Sequence, residues 1–421
     1  MSAAPTPRAA TLAPFGIRAF RYQWPADLAT SWAFEMEVII LGWYVLVETR
    51  SVLLLTLFVS LQHMGTLISP MFGVMGDRLG HRNVLCAMRA FYCLLATTLM
   101  TLSFLDALTP LYVFLMAGLL GLVRPSDIGM RAALVGDTMP ARLLVGAMGI
   151  QRTTQDSAKV AGALTGAGLV VLIGMGPAYL AVAGFYALSV ALTLKAGSAR
   201  AAAPGAAPRK VSAASPWRDL KEGMKYVWRT PHLYAVMCLA FLLNLTAFPL
   251  FNGLLPYVAK EIYFTDQTGL GYMVAGAASG SLIASIVLSR HGSFFPPARL
   301  MIAGCISWYV LLLVFANVPV HGAGIAILFL AGISHSVSQV PMAAMLLRTT
   351  GEAFRGRVMG IRMLAIYGNV PGLLFAGQVI PHLGYPLTAT FYCLFGIAVT
   401  AAIAVRWRQH LWGRDAPANS R

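Results

Sequence analysis

The chain has 421 residues, of which 58% are apolar and only 11% charged, and its formal charge is +16. A soluble chain carries about 25% charged residues, so this composition leaves too little polar surface to solvate a globule of this length. A string of soluble domains is excluded, as are disorder, collagen and a disulfide scaffold; the 40 glycines fit packed membrane helices.

Apolar runs long enough to span a bilayer need about 20 residues. Twelve are predicted, near 27–47, 52–75, 84–105, 110–131, 144–173, 177–195, 232–255, 268–289, 299–317, 320–347, 358–380 and 385–405. The first 25 residues are polar and contain proline, with no apolar core and A-x-A site of a cleavable leader. The resulting domain plan is a cytoplasmic tail over 1–26, a six-helix bundle over 27–196, a linker over 197–230, a second six-helix bundle over 231–406 and a tail over 407–421. The fold class is therefore all-α integral membrane, with twelve helices in two pseudo-symmetric bundles. The chain is expected to be monomeric.

Twelve spans put both termini on one side. With the N-terminus inside, Arg50 and Lys260 are the only cations in outer loops; the rest of the 31 lie in inner loops, tails or near inner helix ends. That is the positive-inside pattern, and it accounts for the charge without nucleic acid. Cys86, Cys93, Cys238, Cys305 and Cys393 lie in or beside apolar runs with no C-x-x-C pair and read as packing residues. No metal site or cofactor is expected.

The linker opens with an Ala/Pro/Gly-rich stretch from Gly197 to Pro208, which reads as flexible. Beyond it Trp217, Leu220, Met224, Val227 and Trp228 recur at helical spacing with Lys221 and Lys225 between them, an amphipathic helix suited to an anionic inner leaflet. A constant shift of 211 relates the halves: Gly121 maps to Gly332, Ala132-Ala133 to Ala343-Ala344, and Met148-Gly149-Ile150 to Met359-Gly360-Ile361. Parallel repeats of this kind place substrate at the repeat interface near the membrane midplane.

Between the second and third spans runs the loop Gly73-Val74-Met75-Gly76-Asp77-Arg78-Leu79-Gly80-His81-Arg82, a G-x-x-x-D-R-x-G-x-R pattern. Gly80 permits a tight turn, Asp77 can meet a helix N-terminus or a cation, and Arg78 and Arg82 suit the inner surface. A merely basic loop explains the arginines but not the Gly and Asp spacing.

With this loop in place the chain resembles the major facilitator superfamily over nearly its whole length. Gly42-Trp43-Tyr44, Glu48-Thr49-Arg50-Ser51, the stretch from Trp217 to Pro231 and Arg355-Gly356-Arg357-Val358-Met359-Gly360 resemble the branch of macrolide-efflux and enterobactin-exporter proteins. The resemblance implies a bacterial inner-membrane protein that exports amphipathic compounds against protons. The second-half copy of the loop, Arg290 to Arg299, keeps cations but lacks the aspartate. Of the family's fifth-span antiporter motif, Gly162, Gly166 and Gly168 are present and the Gly-Pro pair is not.

Ionisable groups at membrane depth are costly and usually functional. Glu35 and Glu37 lie mid-way along the first span and point about 200° apart, while Asp27 lies about 80° from Glu35 and can share its side. These three are the proton-coupling candidates, a structural ion pair being the alternative. Arg124, Asp127 and Arg131 form one stripe on the fourth span. Arg152, Asp156 and Lys159 repeat the cation–anion–cation order on the fifth. The two triplets are expected to form an intramembrane ion-pair lattice along and across the two helices; Arg124 also resembles the fourth-span arginine of related proton-coupled exporters. Gln62, His63, Asn244, His335, Gln339 and Asn369 are the cavity-lining candidates, with Asn252, Arg362 and Gln378 also at depth and Trp32, Trp43 and Trp308 as apolar walls.

These residues predict a secondary exporter of an amphipathic small molecule (a drug, siderophore or metabolite) working by proton-coupled alternating access. No nucleotide-binding G-x-x-x-x-G-K-[ST] loop is present. An importer of a small polar metabolite is the nearest rival, and a non-transporting sensor a further one. His63, His81, His291, His321 and His335 are dispersed, so no catalytic residue of a membrane enzyme is expected.

Overall fold

The computed structural model describes residues 13–196, 216–291, 296–350 and 354–411, which are helical with no strand among them. The predicted low-complexity stretch 197–208 lies outside the described residues. Helix α1 is Arg18–Thr49 and begins ahead of the expected 27. A 3-10 turn over Ala13–Gly16 precedes it. The reason is aromatic burial: Phe20 is fully buried against Val135, Met139 and Ala147, with Phe15 and Trp24 packed alongside. Much of the expected polar tail is thus a folded element that points Arg18 and Arg21 outward.

The second expected span is bent. Helix α2 (Val52–Leu61) is capped by Ser51, whose hydroxyl accepts from the Leu54 amide at 3.3 Å. It gives way at Gln62 and His63 to a 3-10 turn (Met64–Leu67) and then to α3 (Ser69–Leu79), with a bend of 55° between Leu67 and Met71. Pro70 starts α3 because its missing N–H costs nothing at a helix start. A Cβ on Gly65 would lie 2.1 Å from the Leu122 carbonyl oxygen, so only glycine lets the bend pack there.

The remaining helices follow in order. They are α4 (His81–Phe104), α5 (Pro110–Thr138), α6 (Ala141–Ile173), α7 (Met175–Lys195) and α8 (Pro216–Arg229). Helix α9 (Pro231–Phe248) continues through wide π turns at Pro249–Gly253 and Val258–Ile262. Then come α10 (Gln267–His291), α11 (Pro297–Asn317), α12 (His321–Thr349), α13 (Arg355–Leu364) and α14 (Asn369–Arg406).

Among the described residues, ten stretches are long and apolar enough to span a bilayer, and the bent α2–α3 pair makes eleven. The last, Arg357–Arg406, is 50 residues long, or about 75 Å of helix, more than twice a hydrocarbon core of about 30 Å. Gly384, at φ 76°, breaks it into two spans. The described residues therefore hold twelve spans.

Contacts divide the chain into two units. One comprises residues 1–41 and 64–211, the other 42–63 and 212–421. The expected division at the linker is crossed by 42–63, because α2 packs on α14: a Cβ on Gly377 would lie 3.0 Å from the Leu53 Cα. Small residues set the close approaches within each unit, as in membrane bundles generally. In the first, α6 meets α1 at Gly162 and Gly166, where a Cβ would lie 2.6 Å from the Glu35 Cβ and 2.8 Å from the Met36 Cα. In the second, Gly332 of α12 meets α10 so closely that a Cβ would lie 2.0 Å from the Ala277 carbonyl oxygen. The five cysteines are free thiols in half-buried or buried positions.

Candidate functional site

Two charged layers sit along α1 in the first unit. The layer nearer its start centres on Asp27. The Arg89 guanidinium of α4 pairs with Asp27 Oδ1 and also donates to the Thr193 hydroxyl of α7. Gln151 of α6 donates to Asp27 Oδ2 at 2.9 Å. Arg131 of α5 donates to the Asp27 carbonyl oxygen at 3.2 Å and to the Ser31 hydroxyl at 2.7 Å, and it pairs with Asp127 one turn away. Four helices thus meet on one carboxylate. Two arginines face two aspartates, so the cluster is neutral, which is the condition for burying charge.

The second layer lies ten residues further along α1, about 15 Å deeper. Glu37, 1% exposed, accepts from the Tyr186 hydroxyl of α7 at 3.1 Å and lies 3.9 Å from Arg124 of α5. The Arg124 guanidinium also stacks on the Phe34 ring. The antiparallel run of α1 and α5 sets the order: Asp27 meets Arg131, and Glu37 meets Arg124.

Glu35 is placed differently. It is half-buried, with its Cβ against Gly162 of α6, and it forms no ion pair among the described residues. Lys159, Arg124 and Asp156 are the charged groups that act on it.

The predicted lattice is present in altered form. The in-helix pairs Arg131–Asp127 and Arg152–Asp156 (3.3 Å) are there, but Arg152 is 61% exposed. Cross-helix ion pairs of Arg89, Arg124 and Arg131 converge on α1. Asp27, which can share a side with Glu35, is committed to Arg89, Arg131 and Gln151.

At the turn from α3 to α4, Gly80 has φ 87° and its N–H donates to the Gly76 carbonyl at 2.8 Å, a backbone form that favours glycine. Gly73, Asp77 and Arg78 lie on α3, and Arg82 in the first turn of α4 donates to the Asn83 side chain. The partner of Asp77 is His81, at 3.6 Å, and the other ring nitrogen of His81 meets Asp137 at the end of α5 at 2.6 Å.

In the second unit the cavity candidates come together in pairs. The His63 Nδ1–H donates to the Val59 carbonyl at 3.0 Å, and Nε2 lies 3.5 Å from the Asn369 amide. Gln62 sits at the same break, half-buried. Arg362 donates to Gln339 at 3.3 Å. The His335 Nδ1 lies 3.3 Å from the Ser281 hydroxyl, and its ring packs among Phe248, Phe251 and Trp308 at 4.9 to 5.5 Å between centroids. Because Ser281 gives its proton to the Gly332 carbonyl at 3.0 Å, His335 Nδ1 is the donor of that pair. Asn244 turns back onto its own helix, donating to the Ala240 carbonyl at 2.8 Å. No group of three metal-ligating side chains is found among the described residues.

The sequence pattern of the transmembrane secretion effector family matches residues 9–419. The chain belongs to that family of major facilitator transporters. The transporter is 27% identical over 198 residues to the uncharacterised MFS-type transporter YwoD of Bacillus subtilis (strain 168), covering 44% of this chain and 42% of the relative. It is 26% identical over 195 residues to the multidrug efflux pump Tap of Mycolicibacterium fortuitum, covering 45% and 46%. It thus spans less than half the length of these relatives. Among solved structures, the POT family transporter PepTSo superposes with a TM-score of 0.72 at 13% identity, covering 94% of this chain and 99% of that one. The nucleoside transporter NupG gives 0.68 at 13%, covering 95% and 100%. The human organic anion transporter MFSD10 gives 0.66 at 16%, covering 92% and 99%. These likenesses establish the fold. The transporter is a multi-pass membrane protein of a non-enzymatic family.

Sequence reasoning missed several residues of the transporter's charged layers. Arg89 was counted among inner-end cations, although it lies eight residues inside α4 and is fully buried. Gln151 and Tyr186 carry no signal at all in a single sequence, since their partners are 124 and 149 residues away.

Proposed function

We propose that this transporter exports amphipathic small molecules across the bacterial inner membrane in exchange for protons, with both termini cytoplasmic. The observation that carries the coupling is the contrast among the three acids of α1. Asp27 is wired to two arginines and a glutamine, and Glu37 to a tyrosine and an arginine, whereas Glu35 is half-buried with no ion pair among the described residues. A carboxyl not committed to a partner is free to take and release a proton as its surroundings change between the two access states. Asp27 and Glu37 then serve as the frame that holds α1 against α4, α5 and α7.

Export is supported by the similarity to the efflux pump Tap, and orientation by the sorting of arginines and lysines between loops. His335 has a hydroxyl on one side and three aromatic rings on the others, surroundings of mixed polarity that would suit an amphipathic ligand. The test is a compound panel in proteoliposomes with and without a pH gradient. Movement of at least one amphipathic compound that reverses when the gradient is reversed supports the reading, and gradient-independent flux for every transported compound refutes it.

A further inference from the structure

Helix α8 has two faces, and only one of them is covered. Gly223, Tyr226, Val227 and Thr230, spaced i, i+3, i+4 and i+7, form the inward face and are buried or half-buried. This face docks on α13. A Cβ on Gly223 would lie 3.0 Å from Ile361 Cδ1, the Tyr226 ring stacks on Phe354 at 4.4 Å, and Glu222 pairs with Arg357 at 3.0 Å. The pair with Arg357 offsets the Glu222 charge at the edge of the docked face.

The opposite stripe, Lys221, Met224, Lys225 and Trp228, has the same spacing and is exposed, with Trp228 71% exposed. Arg229 extends it. The sequence had grouped Val227 with Met224 and Trp228 on one apolar face. The structure divides them, because Val227 is 3% exposed and belongs to the docked side.

The exposed stripe does not end with the helix. Trp228 packs on Tyr234 of α9 at 5.0 Å, and Tyr234 on Trp407, just past the end of α14, at 5.8 Å. The Arg406 guanidinium lies over the Trp407 ring at 5.7 Å, and Arg408 is exposed beside it. The result is a row of three aromatic rings flanked by Lys221, Lys225, Arg229, Arg406 and Arg408. Rings of this kind sit at headgroup level, and exposed basic side chains beside them attract anionic headgroups, each contributing about a fivefold change in affinity.

We propose that this corner, formed by α8, the start of α9 and the end of α14, is a binding site for anionic phospholipid. The lysines and arginines hold the headgroup phosphate, and Met224 and Trp228 enter the acyl boundary. Because α8 is pinned to α13, the bound lipid fixes the second unit's basic end to one leaflet. The inference does not depend on the direction of transport or on the coupling ion.

Two measurements on the full-length protein test it. In the first, wild-type protein is reconstituted with phosphatidylglycerol carrying a photoactivatable diazirine on its acyl chain, or with the phosphatidylcholine analogue, and cross-linked peptides are mapped. The expected result is enrichment of peptides covering 221–234 and 405–409 with phosphatidylglycerol alone. Equal labelling by both lipids, no labelling of this corner, or chain-to-chain cross-links through it would overturn the proposal. In the second, phosphatidylglycerol retained on the purified protein is counted by native mass spectrometry for the triple variant K221Q/K225Q/R229Q and for Lys260→Gln as control. Affinity is expected to fall about tenfold or more in the triple variant and to hold in the control. Equal retention in both would contradict the site.

Discussion

Arg89 of α4 and Asp27 of α1 form an ion pair whose side chains are 0% and 4% exposed. Neither charge can be left alone at that depth, because removing one partner of a buried pair strands the other at a cost of about 3–5 kcal/mol. Arg89→Ala is therefore expected to lower the Tm of the detergent-purified protein sharply and reduce its yield. Adding Asp27→Asn is expected to recover part of the loss. A single Arg89→Ala variant as stable as wild type would remove the pair from the account of how α1 is held.

The contact of α6 on α1 makes a graded prediction. Gly166→Val places methyl groups where the Met36 backbone already lies 2.8 Å from a first Cβ, so it is expected to cost about 1–3 kcal/mol. Gly168→Ala meets nothing within 4 Å and is expected to unfold with wild type within about 0.5 kcal/mol. Thermal unfolding of the two variants side by side checks this, and equal losses would show that the close approach does not set the packing.

His81 joins the signature turn to the end of α5, since its two ring nitrogens face Asp77 and Asp137. A double-mutant cycle over His81→Gln and Asp137→Asn is expected to give a coupling of about 1 kcal/mol, measured by unfolding in detergent. Additive effects would mean that the 2.6 Å contact contributes nothing to the turn.

Glu37 and Tyr186 are assigned a holding role. Tyr186→Phe removes the donor that reaches Glu37 at 3.1 Å. The loss of one hydrogen bond to a charged acceptor is expected to destabilise the protein by about 1.5–3 kcal/mol while leaving gradient-driven transport in place. Loss of coupling with unchanged stability would move Glu37 from the frame to the proton path.

Much of the architecture was legible before the structure, for reasons that are local. An apolar run reports a span, because lipid heavily penalises a backbone that does not satisfy its own hydrogen bonds. The turn at Gly80 was readable from its motif. The end of α2 at Gln62 and His63 and the turn after it were not, since the turn packs only because Gly65 meets Leu122 on another helix. The charged layers were half-legible. Spacing within one helix gave Arg131–Asp127 and Arg152–Asp156, but no spacing shows that Arg89 reaches Asp27 or that Tyr186 reaches Glu37. The wheel position of Asp27 near Glu35 carried no information about its partners, which come from α4, α5 and α6. On α8 the sequence showed an amphipathic helix, but only the docking of Gly223 decided which residues remain exposed.

The measurement that bears most directly on the account is pH-gradient-driven transport by Glu35→Gln in proteoliposomes, with substrate counterflow measured on the same preparation. The account predicts that the variant loses gradient-driven flux and keeps counterflow, because the carboxyl that carries the proton is gone while the paired frame of Asp27 and Glu37 remains. Gradient-driven flux equal to wild type would contradict it.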